Sequence, residues 1–79
     1  MKIRVQLFGP LIEQTGLSRV EVDVTGSTVQ DVVSAAAAAV PSLRLGPAVR
    51  FAVNTDYAEP TAAVREGDVV SLIPPVGGG

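Results

Sequence analysis

Between Val29 and Val40 lies the one long stretch of this 79-residue chain in which apolar residues recur at helical spacing. Val29, Val32, Val33, Ala36, Ala37 and Val40 mark its apolar stripe, and Pro41 ends it, because proline has no amide to continue the ladder. Around it the chain alternates with the period of a strand. Ile3, Val5 and Leu7 interleave with Lys2, Arg4 and Gln6, and Val20, Val22 and Val24 with Arg19, Glu21, Asp23 and Thr25. Later, Val49, Phe51 and Val53 oppose Arg50, Ala52 and Asn54, and Val70 and Leu72 oppose Val69, Ser71 and Ile73. A single helix covers one face of a sheet, so the pattern predicts one mixed sheet wrapped on one main helix, its opposite face largely solvated.

Local signals set the boundaries. "FGPLIEQTG", Phe8 to Gly16, closes the first strand and predicts a short helical turn that lays Leu11 and Ile12 on the core. The first two strands most simply pair antiparallel. Thr28 as N-cap with Asp31 three residues on approximates a capping box; Ser27 with Gln30 would serve one residue earlier. The alanine tract suits a helix packed close to a sheet. "NTDY" reads as a tight turn into a very short strand near Tyr57, and Pro60 and Gly67 punctuate the approach to the last strand. This order predicts an α+β chain of the β-grasp, or ubiquitin-like, kind, with four to five strands on one helix. The domain is expected over residues 1–73, and a flexible tail, Pro-Pro-Val-Gly-Gly-Gly, over 74–79.

Composition narrows the chemistry. With 47% hydrophobic and 18% charged residues the chain belongs with globular proteins. It has neither cysteine nor histidine, which argues against disulfides and against zinc, iron–sulfur or haem centres, so no metal site is expected. A net charge of -2 without a run of Lys or Arg argues against nucleic acid. "MKIRVQLF" lacks the unbroken apolar run of a secretory signal, and "VVSAAAAAV" falls short of the ~20 residues of a membrane span, so a cytoplasmic protein without a membrane partner is expected.

No nucleophile–base pair presents itself, and Glu66 and Asp68 about Gly67 read as a solvated turn. Gly77 to Gly79 cannot cradle a phosphate, since no helix follows them. What remains is the α-carboxylate of Gly79. Pro74 and Pro75 prevent the last strand from continuing, and six residues fully extended reach roughly 20 Å. Val76 and Pro75 lead into Gly77, Gly78 and Gly79, which can thread a channel too narrow for side chains. An ionised carboxylate is not an electrophile; adenylation by ATP on a partner enzyme would make it one. The competing reading of such glycines is an idle terminus.

Taken together, "VQLFGPLIEQTG", "TVQDVVSAAAAAVP", "RFAVNTDY" and "REGDVVSLIPPVGGG" resemble the small subunit of molybdopterin synthase, in the MoaD/ThiS group of ubiquitin-like sulfur carriers. The resemblance spans essentially the whole chain and is strongest from Gly67 to Gly79. It implies that Gly79 is adenylated by an E1-like activating enzyme that uses ATP, converted to a thiocarboxylate, and inserted into the large subunit of molybdopterin synthase. There the sulfur passes to cyclic pyranopterin monophosphate, two carriers serving each molybdopterin. It further implies a chain that is non-catalytic alone, holds no permanent cofactor, and works in a hetero-oligomeric sulfurtransferase. Gly77 stands where many members have Ser or Ala, a change taken to be tolerated. On this reading the outward apolar residues Val69 and Ile73 form a partner interface beside the tail. Three alternatives stay open: a sulfur carrier for cysteine, thiamine thiazole or tRNA thiolation; a protein modifier joined through Gly79; and an interaction module with an idle tail.

Overall fold

The computed structural model describes residues 1–75. Strand β1 (Lys2–Leu7) is followed by the short helix α1 (Pro10–Thr15), strand β2 (Arg19–Asp23) and the main helix α2 (Val29–Ala39). Strands β3 (Arg50–Val53), β4 (Asp56–Ala58) and β5 (Val69–Ile73) complete a five-stranded sheet of order β2-β1-β5-β3-β4. β1 and β5 run parallel at its centre, while β1 with β2, β3 with β5 and β3 with β4 are antiparallel. This is the β-grasp fold, with the larger of the expected strand numbers.

The alternation of the strands becomes burial because α2 covers one sheet face. Ile3, Val5, Val29, Val32, Val70 and Leu72 are fully buried between helix and sheet. Phe51 and Val53 pack on that core from β3. Two assignments need correction. Leu11 enters the core as expected, but Ile12 is exposed, since α1 is too short to present two adjacent residues to one surface. Ala37 likewise faces solvent, and Ala35 packs on the core instead.

The start of α2 is held from both sides. Thr28 is the N-cap: its hydroxyl accepts from the Asp31 amide at 3.3 Å and donates to Asp31 Oδ2 at 2.9 Å, and that oxygen also accepts the amides of Thr28 and Ser27. The pair at Ser27 and Gln30 is not the cap. A Cβ on Gly26 would collide with the Asp31 carboxylate, so glycine is what admits the box. Val29 N–H and Ser27 C=O bond to Ala62 and Val64, tying the helix start to the approach to β5.

The Thr28 hydroxyl, followed by the Thr28 and Ser27 amides, holds the Asp31 carboxyl below the ordinary carboxylate range. A depressed folded pKa gives stability that is complete above the unfolded value of about 3.9 and is lost as pH falls through the lower folded value. Removing the cap hydroxyl by Thr28→Ala should destabilise the domain by about 1 kcal/mol at neutral pH. Thermal melts from pH 7 to pH 2 should show the Asp31→Asn variant losing less stability on the acid side than the parent.

Candidate functional site

The sheet face opposite α2 is the surface the helix leaves open, and strand register fixes what stands on it. One row crosses all five strands: Arg19, Gln6, Ser71, Ala52 and Tyr57. Ser71 and Ala52 point away from the helix yet are only 6% and 7% exposed. Both side chains are short and sit between longer ones, so they make the floor of a trough while Tyr57, 71% exposed, stands at its rim. The opposite face is thus less solvated at its centre than alternation implies.

Val69 and Ile73 lie along the same trough on β5, both half-buried. Ile73 pairs with Arg50, and beyond it the ladder ends at Pro74 and Pro75, the second exposed. The turn after β1 approaches this point: Gly9, at φ 51°, lies where an added Cβ would stand 3.8 Å from Pro74 Cγ. Phe8, the residue after Leu7 at this same end of the sheet, is 41% exposed. Phe8 and Ile73 are therefore the apolar groups available around the root of the tail, whereas Val69, expected beside it, stands at the opposite end of β5, where its amide donates to Asn54 Oδ1. Val76, Gly77, Gly78 and Gly79 lie outside the described residues.

Sequence reasoning missed Phe8, Tyr57 and Arg50 as members of this face. Phe8 had a signal, since one more step of the β1 alternation turns it outward. Arg50 had one in the alternation that opposes it to Phe51 and Val53, whereas Tyr57 had none without the pairing of β4 to β3. Beside them, around Gly46, Pro47 and Glu59, an open cleft of about 650 Å³ lies at the tail end of the β3–β4 edge.

The acidic turn before β5 has a structural use. Both Glu66 oxygens accept the Lys2 amide at 3.1 Å, while Asp68 accepts from the Arg65 amide at 2.9 Å and from Asn54 Nδ2 at 3.2 Å. Asn54 also accepts the Val69 amide at 3.1 Å, from a left-handed backbone at φ 56°. These carboxylates tie turns together and do not face one another across a cleft. No helix among the described residues is long and apolar enough to cross a membrane.

A five-stranded mixed sheet with one main helix on one face and a central last strand is the build of a small ubiquitin-like protein. Residues 5–79 match the ThiS family, and the chain belongs to it: the ThiS/MoaD family of small ubiquitin-like sulfur carriers. Among solved structures it is similar to SAMP1, the small archaeal modifier protein 1, of Haloferax volcanii, with 31% identity over 100% of both chains and a TM-score of 0.88. It is similar to a putative molybdopterin converting factor subunit 1 from Pyrococcus furiosus, with 25% identity over 95% of this chain and 98% of that one, TM-score 0.79. The fold is shared with a chain of the complex of subunits 1 and 2 of molybdopterin-converting factor from Helicobacter pylori, at 22% identity over 100% of both chains, TM-score 0.72.

Proposed function

We propose that this chain is the sulfur-carrier subunit of a molybdopterin synthase. The observation that carries the reading is the placement of the last strand: β5 is central, and its end brings Pro74 out beside Gly9, with Phe8 exposed at the same end and the glycine sequence directly following. The similarity to the Pyrococcus furiosus protein supports it over nearly the whole chain. A carboxylate oxygen of Gly79 would attack the α-phosphorus of ATP on an activating enzyme, releasing pyrophosphate. A hydrosulfide-level sulfur then displaces AMP and leaves a thiocarboxylate, which the large subunit receives through a narrow channel lined for bare glycine backbone. The complex of the Helicobacter pylori subunits supports a hetero-oligomer of this kind.

Docking then uses Phe8 and Ile73 around the tail root, with Val69 a strand length back on the same face. Ile73→Asp should weaken binding to the large subunit at least about tenfold, the loss expected when an aliphatic contact worth about 1.5 kcal/mol is replaced by a charge. Calorimetry of the complex measures it, with a melt confirming that the variant folds; an unchanged affinity removes the trough from the interface.

A second reading, protein modification through Gly79, is favoured by the 31% identity to SAMP1. It makes a narrow demand on the chain itself. The Met1 amine donates to Val24 C=O at 2.8 Å and is partly buried, which leaves Lys2, the sole lysine, as the exposed amine for self-attachment. Intact mass distinguishes the readings: a thiocarboxylate on the free protein for the carrier, a conjugate at a lysine for the modifier.

A further inference from the structure

The sheet ends on one side at β4 and on the other at β2. β4 is only three residues long and Pro60 follows soon after it, so little of its backbone is open to a further strand. β2 has neither protection: it is five residues long, contains no proline and keeps an unbroken register with β1. Its bonds to β1 fix which way its backbone points. Ser18 C=O accepts the Leu7 amide, and Met1 and Val24 bond to one another in both directions. By alternation Val20 and Val22 also face β1, while Arg19, Glu21 and Asp23 direct their N–H and C=O outward. Among the described residues those outward groups meet no backbone partner outside the strand.

A strand added to this edge must pair with Arg19, Glu21 and Asp23, and β2 of another copy has the complementary order. With a two-fold axis through Val20, Arg19 of each copy lies opposite Glu21 of the other and exchanges both backbone bonds with it, and Asp23 stands on the diagonal from Arg19. On the open face Glu21 then sits between Arg4, its register partner on β1, and Arg19 of the second copy, so opposite charges alternate across the junction. On the helix face the two Val20 side chains meet as a closely spaced pair, flanked by Val5 of each copy. Val5 is fully buried and Val20 only half-buried, and the junction completes the burial of Val20. An axis through Glu21 would instead set two like carboxylates directly opposite, so charge selects the register. α2 packs on β2, and the second half of the helix shows solvent only the short side chains of Ser34, Ala37, Ala38 and Ala39, which allows two helices to lie side by side.

We propose that the outer edge of β2 is a self-association surface and that its partner is a second copy of this chain, paired antiparallel about Val20 into one continuous sheet of five strands from each copy. β1 separates β5 from this edge, so the junction leaves the root of the tail uncovered. The two β5 strands stand five strand spacings, or about 24 Å, apart. Because the two-fold reverses strand direction, the Pro74 exits of the two copies lie at opposite ends of the joined sheet. A contact of one short edge is small, and the dimer forms in a concentration-dependent way.

The test is sedimentation equilibrium of the full chain from about 10 μM to about 1 mM at low salt, the range in which an interface of this size associates. The parent should show a monomer–dimer equilibrium that weakens several-fold as salt is raised to about 1 M, a measurement that needs no variant. Arg19→Glu and Glu21→Arg should each weaken it at least about tenfold, since each sets like charges opposite one another twice in the dimer. An equimolar mixture of these two variants restores both opposite-charge pairs and should associate at least about tenfold more tightly than either variant alone. Ile73→Asp, at the tail root, should leave the equilibrium unchanged, and melts verify that every variant is folded. A parent that stays monomeric throughout, association that tightens with salt, folded reversals that match the parent, a mixture no tighter than its components, or a loss for Ile73→Asp equal to that of the reversals overturns the inference.

Discussion

Deleting Gly79 should abolish the gain of about 16 Da, oxygen replaced by sulfur, that the carrier proposal expects of the full chain after incubation with ATP, a sulfur source and the activating enzyme. The effect is expected to be all or none. Gly78 would then present its own carboxylate one residue short, a displacement of about 3.5 Å in an extended chain. Misplacement by a single ångström in a near-attack geometry is enough for a loss of about a hundredfold. Gly79→Ala tests a different property, since it keeps the reach and adds a Cβ where the channel is proposed to admit bare backbone. A truncated chain that still gains sulfur would refute the carrier proposal.

Leu72→Ala should have the largest effect on stability. Leu72 is fully buried on the central strand, paired with Leu7 on one side and Phe51 on the other, so its removal leaves a cavity that neither neighbouring strand can close. A loss of about 3 kcal/mol is expected, lowering the melting temperature of a domain this small by roughly 15 °C. Ile12→Ala is the matched control. Its side chain is 37% exposed on α1, and its loss should change stability by no more than about 0.5 kcal/mol. Denaturant or thermal unfolding followed by circular dichroism measures both.

The fold was legible because one face of the sheet is buried, which forces strict alternation: each core residue expected on β1 and β5 is buried, as are Val22 and Val24, while Val20 on the edge strand β2 is half-buried. The capping box was legible because Thr28 and Asp31 are fixed by local spacing alone. Errors arose where a segment has too few residues to show a period, as with Ile12 on α1, or where the residue type carries no contrast, as with Ala37 among alanines. Ser71 shows a further limit. Alternation reports which way a side chain points, and its burial depends on Gln6 and Ala52, which lie far away in sequence and beside it in register. The same holds for Arg19 and Arg50, whose partners are visible only once the strands are aligned.

The parallel pairing of β1 with β5 bears on how and when the domain assembles. The two strands that form its centre come from opposite ends of the described chain, Lys2–Leu7 and Val69–Ile73, so the middle of the sheet forms by a contact between sequence-distant segments. A nascent or prematurely terminated chain that lacks β5 leaves β1 and β3 with unpaired edges and the helix over an open core. Folding thus acts as a proofreader of length. A chain broken before its final strand cannot close this core and stays open to proteolysis.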